Sequence, residues 1–301
     1  MTENVLITGA TGFIGRHLVE RLSGEDVNII VISRNVEAFK GNQQVECVCG
    51  NLNDVEKIVI TLKKYDISTC FHLAWEGIPD FSFENCQRNM KYGLNVLEMC
   101  KKLGIKKLLV SGSCLEYKRA NGFVSETDDL DKNSLFAVTK NTLYDFSHVF
   151  CRENGMKLYW LRLFYVIGVG QRSGSVLPYL IKCILNGKTP VLKTPYDAND
   201  FVCVDDVADA FAVFWRENPS QEVYNIGTGK LTMTEELSAM VREAYYEEKT
   251  NECEKQVPIS RFGANCEAVL KDTSWKPSRT INEIVLEMVN QSRKNNEELI
   301  T

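Results

Sequence analysis

With 301 residues and 44% hydrophobic content, the chain can bury a large core, as one large domain or two smaller ones. A net charge of -5 argues against a nucleic-acid surface, and no apolar run reaches membrane-spanning length. The eleven cysteines are scattered, only Cys47 and Cys49 stand close together, and none of this has zinc spacing, so no metal is expected. Reduced thiols and the lack of a signal-peptide pattern ahead of the first strand give a cytoplasmic expectation.

The first element is a strand over Val5–Thr8. Gly9, Gly12 and Gly15 follow, then a helical pattern with Phe13, Ile14, Leu18, Val19 and Leu22 apolar. In such a unit the first glycine permits a tight turn, the second lets backbone approach a pyrophosphate, and the third lets helix pack on strand. The helix N-terminus offers free N–H groups to the phosphates. A glycine trio alone also marks an ordinary tight turn; its place between strand and helix favours a dinucleotide, held by Gly9, Thr11, Gly12, Phe13, Ile14 and Gly15. The second strand, Asn28–Ser33, ends in Ser33-Arg34. An acid near this point would bind the ribose 2′-hydroxyl of NAD, whereas an arginine can meet the 2′-phosphate of NADP. NADP(H) is therefore expected, with NAD as second choice, and a solvated surface charge is the other reading of Arg34.

A third strand, Val45–Cys49, leads to Gly50-Asn51-Leu52 and a helix with Val55, Ile58, Val59 and Leu62 on one face. The next strand, Thr69–Leu73, ends in His72-Leu73-Ala74. A long helix over roughly 83–103 carries Gly93, which suggests close packing. Lys107–Ser111 is a strand with Gly112-Ser113 after it. This alternation predicts an α/β fold with a Rossmann-type, doubly wound parallel sheet. Gly9, Arg34, Ala74 and Ser113 fall at strand ends, where such sheets bind ligands, and Asn51, Leu52 and Leu73 join the expected cofactor site.

Further on, Phe136 and Lys140 stand one turn apart on one helix face. Lys157–Leu163 is another core strand, after which the regular alternation breaks down. Gln171-Arg172 and Ser173-Gly174-Ser175 read as a mobile loop. A helix near 176–185 stops at Asn186-Gly187-Lys188. Asp200–Val204 is expected to return to the sheet, a helix starts at Asp205, and the polar tail Ser292–Thr301 is expected to fray. The implied domains are a dinucleotide-binding one over 1–165 and about 199–227, and a smaller α/β substrate-binding one over about 166–198 and 228–301.

Nine segments, in order along nearly the whole chain, carry a resemblance. They are Gly9-x-x-Gly12-x-x-Gly15; Gly50-Asn51-Leu52; His72-Leu73-Ala74; Asn89-x-x-x-Gly93-x-Asn95; Ser111-Gly112-Ser113-Cys114-Leu115-Glu116-Tyr117; Leu161-Arg162-Leu163-Phe164; Asp200-Phe201-Val202-x-Val204-Asp205-Asp206-Val207-Ala208; Tyr224-Asn225-Ile226-Gly227-Thr228-Gly229; and Trp275-Lys276-Pro277. Together they resemble the extended short-chain dehydrogenases/reductases of the nucleotide-sugar epimerase/dehydratase family. The resemblance implies a nucleotide-sugar substrate, a homodimer, and a catalytic hydroxyl, tyrosine and lysine. Ser113 matches the hydroxyl and Lys140 the lysine, which would hold the nicotinamide ribose and lower the tyrosine's pKa so that its phenol can trade a proton with the substrate. The tyrosine position holds Phe136, which has the shape without the oxygen. Three readings stay open: a deliberate Tyr-to-Phe change, a natural homologue with another donor (Tyr117, Tyr165 or Cys114), or a dinucleotide binder without redox chemistry.

Cys114, Glu116 and Tyr165 are candidate substrate neighbours, although Cys114 also suits a packed position and Glu116 a loop cap. Lys118 stands where the family often has glycine. Arg172 and Arg261 are the candidates for the substrate pyrophosphate, with surface charge as the alternative; Asn89 reads as a structural polar group. Dehydratases of the family carry Thr-Asp-Glu where this chain has Ser113-Cys114-Leu115, so no acid pair serves water elimination. Arg34 counts against the tightly held NAD of epimerases. The resemblance thus points to an NADPH-dependent C-4 ketoreductase of a nucleotide-linked 4-keto-6-deoxy sugar, with a sugar epimerase and a non-catalytic dinucleotide sensor as rivals.

Overall fold

A computed structural model describes residues 2–247 and 257–298. In chain order the first half consists of β1 (Glu3–Thr8), α1 (Phe13–Leu22), β2 (Val27–Ser33), β3 (Val45–Cys49), α2 (Val55–Leu62), β4 (Ile67–His72), α3 (Phe83–Leu103), β5 (Lys107–Ser113), β6 (Gly122–Val124), α4 (Leu135–Glu153) and β7 (Lys157–Leu163). The second half adds β8 (Tyr165–Ile167), α5 (Val176–Leu185), β9 (Asp197–Asn199), β10 (Phe201–Cys203), α6 (Val204–Arg216), β11 (Val223–Ile226), β12 (Thr232–Met233), α7 (Thr234–Tyr246), β13 (Ser260–Ala264), α8 (Glu267–Asp272) and α9 (Ile281–Glu298).

Seven strands pair in the order β3-β2-β1-β4-β5-β7-β11, every pair parallel. Side chains alternate between the two faces. Val5 and Ile7 therefore pack in one core with α1 and α6, while Leu6 packs in another with α2, α3 and α4. Burial on both faces explains why these strands read as continuous aliphatic runs. Gly93 lets α3 close on α4, since a Cβ there would strike Leu143. The strand order reverses at β1, between β2 and β4, and the ligand crevice of such a sheet lies beyond the carboxyl ends at that point.

The second half departs from expectation in several places. Phe201–Cys203 does not return to the main sheet; it pairs with β8 in a separate two-stranded sheet, because β11 takes the edge beside β7. A four-stranded sheet, β12-β9-β13-β6, draws β6 out of the first half. Residues 266–275 also pack on the larger unit: Val269 and Trp275 join its core, and Trp275 Nε1 donates to Asp206 O at 2.8 Å. The smaller unit's own core lies between α5, α7 and α9. The tail expected to fray from Ser292 continues α9 to Glu298, and 299–301 lie outside the described residues. Among the described residues no helix is long and apolar enough to cross a membrane.

Candidate active site

The loop between β1 and α1 is shaped by close approach. Gly9 has φ +78°, and a Cβ on it would lie 2.6 Å from Ala74 N; a Cβ on Gly15 would overlap Gly9 O. Gly12 caps α1 with no side-chain hydrogen bond, which leaves the first N–H groups of the helix available. Two cavities meet at this loop. One, of about 300 Å³, lies beyond the ends of β1 to β4 and is bordered by Ser33, Arg34, Asn51, Leu52, Ala74 and Glu76. The other, of about 570 Å³, holds Phe13, Ile14, Gly15, Ser113, Cys114, Phe136, Lys140, Tyr165 and Arg172. Gly9, Thr11, Gly12, Leu73 and Trp75 border both. Two cavities joined at a helix N-terminus fit a two-part molecule whose anionic centre rests on the loop. No cluster of His, Cys, Asp or Glu among the described residues could hold a metal ion.

The helix that carries Phe136 and Lys140 starts where Ser134 accepts from Ala137 N at 3.2 Å. Lys140 is buried. Its Nζ donates to Ser111 O at 2.6 Å and stands 4.2 Å from the Trp75 ring centre. Burial pulls its pKa down to about 8, against the attraction of Glu116. Phe136 is clasped by Trp75 at 5.1 Å and Phe81 at 4.5 Å between ring centres, an aromatic nest that makes no demand for a hydroxyl. Ser113 Oγ accepts from Leu115 N at 3.2 Å, which leaves its O–H hydrogen free to donate. His72, at the end of β4, has its pKa pushed down to about 3 by burial and the Lys140 charge, and its Nδ1 lies 2.8 Å from Thr8 Oγ1.

Other expected residues are committed elsewhere. Glu116 is not at the substrate cavity. It lies fully buried, accepts from Ser113 N at 2.8 Å and Trp160 Nε1 at 3.0 Å, and pairs with Arg162 Nε at 2.8 Å. Arg261 is exposed on β13 and borders neither cavity; its backbone N donates to Asn121. Ser33 borders the first cavity, but its hydroxyl is bonded to the Asn35 backbone. Arg34 is ion-paired with Glu76 at 2.7 Å. Of the substitute proton donors, Tyr117 OH is occupied by Asn225 at 2.6 Å and Arg162 at 2.9 Å, and burial raises the Cys114 thiol far above its usual range. Tyr165 faces the cavity with its pKa pushed up to about 12, chiefly by burial, so it keeps its proton.

Sequence reasoning passed over Trp75, Glu76, Phe81 and Arg119. Trp75 and Glu76 directly follow the His72-Leu73-Ala74 signal, which could have marked them. Arg119 borders a third cavity of about 500 Å³, which shares Phe136 and Tyr165 with the second.

Known proteins can be set beside this geometry. CDP-abequose synthase of Salmonella typhimurium is 27% identical over 237 residues, which is 76% of each chain. The solved structure of MoeE5 in complex with UDP-glucose and NAD superposes with a TM-score of 0.82 at 26% identity, over 97% of this chain and 99% of that one. UDP-glucose 4-epimerase of Thermotoga maritima, solved with UDP-glucose, has a TM-score of 0.84 at 24% identity and the same coverage. Residues 5–227 match the profile of the NAD dependent epimerase/dehydratase family. The chain therefore belongs to that family, the nucleotide-sugar enzymes among the extended short-chain dehydrogenases/reductases.

Proposed function

We propose that the protein is an NADPH-dependent C-4 ketoreductase of a nucleotide-linked 4-keto-6-deoxy sugar, a cytoplasmic homodimer whose product serves as a deoxyhexose donor for polysaccharide. The reading is carried by one observation: Ser113, Lys140, Tyr165 and Arg172 share a cavity with the glycine loop. Arg34 at the end of β2, where NAD-selective relatives of this fold place an acid, supports NADP(H). No carboxylate accompanies Ser113 in that cavity, which speaks against water elimination. The similarity to CDP-abequose synthase agrees with a nucleotide-linked sugar.

When bound, NADP(H) supplies the hydride. Gly9, Thr11, Gly12, Phe13, Ile14 and Gly15 would carry its pyrophosphate, and Asn51, Leu52, Leu73 and Ala74 would border the adenosine. Lys140 has N–H donors beyond the one given to Ser111 O, and these would hold the nicotinamide ribose. Ser113 would donate to the sugar carbonyl, and Arg172 would meet a substrate phosphate. Phe136 has no proton to give, so Tyr165 is the phenol left in this cavity for the substrate oxygen.

An NAD-dependent epimerase is the second reading, favoured by the Glu76 carboxylate at the adenosine side. The deciding experiment is incubation with nucleotide sugars while NADPH is followed at its absorbance. Consumption matched to product is expected; conversion with no added reductant and no NADPH loss would sink the reductase. If calorimetry on the NADP complex detects no nucleotide-sugar binding at all, the chain is a dinucleotide sensor instead.

A further inference from the structure

The adenosine-side cavity is rimmed by an acid that reduction does not use. Glu76 follows β4, not β2, and its place is built with care. Glu76 N donates to Asn89 Oδ1 at 2.8 Å, and Asn89 Nδ2 donates back to Glu76 O at 2.9 Å. Asn89 is 2% exposed, and its buried amide ties the Glu76 backbone to α3, where its Nδ2 also donates to Asn85 O at 2.8 Å. The carboxylate has two cationic neighbours: Oε1 lies 2.7 Å from Arg34 Nη1, and Oε2 lies 3.8 Å from Arg88 Nη1. Arg34 and Glu76 both border the cavity.

We propose that Glu76 is the residue through which this protein weighs NADP(H) against NAD(H), by restraining Arg34 and opposing a 2′-phosphate. The inference rests on the reading of Arg34 as the 2′-phosphate ligand. A phosphate within hydrogen-bond reach of Arg34 comes close to the carboxylate already bonded to that guanidinium, and two anions sharing one cation repel. Arg88, on the other side of Glu76, limits the conflict by taking the carboxylate as Arg34 turns to the phosphate. A ribose 2′-hydroxyl meets no such opposition, since a carboxylate can accept its proton. Glu76 thus does from the end of β4 part of what an acid at the end of β2 does in NAD-selective sheets of this kind.

Calorimetry on the full chain, with NADPH and NADH as the probes, tests this. Glu76→Gln is expected to tighten NADPH by about fivefold and to change NADH by less than about twofold. Glu76→Asp, which keeps the charge, should restore the native preference. The gain should shrink in high salt, and when Arg34 is also alanine only the part due to direct repulsion of the phosphate should remain. Equal changes for both cofactors, as a merely structural effect would give, overturn the inference. Arg34→Ala separates it from the reading beneath it. If that variant binds NADPH as well as the native chain, the NADP(H) reading itself fails; if it loses NADPH selectively while Glu76→Gln moves both cofactors alike, only the role of Glu76 falls.

Discussion

The two ends of the cleft are held by opposite kinds of interaction. At the end bordered by Ser33 and Asn51, Arg34, Glu76 and Arg88 pair at the rim, and the Arg34 side chain is 68% exposed. At the other end, Lys140 and Phe136 are buried among aromatic rings, and the nearby ion pair of Glu116 and Arg162 is closed to water. Exposed charges are screened and change partners at a cost of about 1 kcal/mol or less. Buried ones cost about 3–5 kcal/mol when one partner is removed. Changes at the rim are therefore expected to act in small steps, and changes at the buried end in larger ones.

The largest test of this contrast is Phe136→Tyr. The ring borders the cavity together with Lys140, between Trp75 and Phe81. Turnover of a nucleotide-linked 4-keto sugar with NADPH is expected to rise by about 100- to 10,000-fold, the usual worth of a positioned general acid. An unchanged rate means the proton comes from another group, and Tyr165→Phe in the native chain then shows whether Tyr165 supplies it.

Breaking the buried pair should act on stability and not on cofactor choice. Glu116→Gln keeps the shape and the bond from Ser113 N but leaves the Arg162 charge without a counter-ion. Urea unfolding should show a loss of about 3–5 kcal/mol, against about 1 kcal/mol or less for Arg34→Ala at the rim. Similar losses at the two sites would erase the distinction between the ends.

The same contrast explains what the sequence could and could not disclose. The parallel sheet was readable because burial on both faces writes aliphatic runs into β1 and β2, and the loop because backbone approach at Gly9 and Gly15 tolerates no side chain. These are local demands. The commitment of a charged side chain is not local. Glu116 reads as a residue of the serine loop, yet its partners Trp160 and Arg162 come from β7, more than forty residues on. Arg34 reads as free until Glu76, from another strand end, is brought to it. Phe201–Cys203 resembles a returning strand, and only the occupation of the sheet edge by Val223–Ile226 excludes it.

The smallest expected change in cofactor binding belongs to Lys140, and it runs opposite to that group's effect on stability. Burial lowers its pKa from 10.5 to about 8, so the folded chain gives up this proton before the unfolded chain does. Below pH 8 both states carry the charge and its burial penalty is fully present. Between about 8 and 10.5 the unfolded chain binds more protons, so this group makes the fold more stable as pH rises. Cofactor binding should follow the other sign, because a neutral amine is a weaker donor to the ribose than an ammonium. NADPH affinity is expected to fall by about fivefold as pH passes 8. Lys140→Met should abolish that fall and flatten the corresponding part of the stability profile. If the midpoint near 8 persists in the methionine variant, the titrating group is not this lysine. If only the stability slope disappears, Lys140 is buried as described but does not hold the cofactor, and the nicotinamide end would then be organised by packing alone.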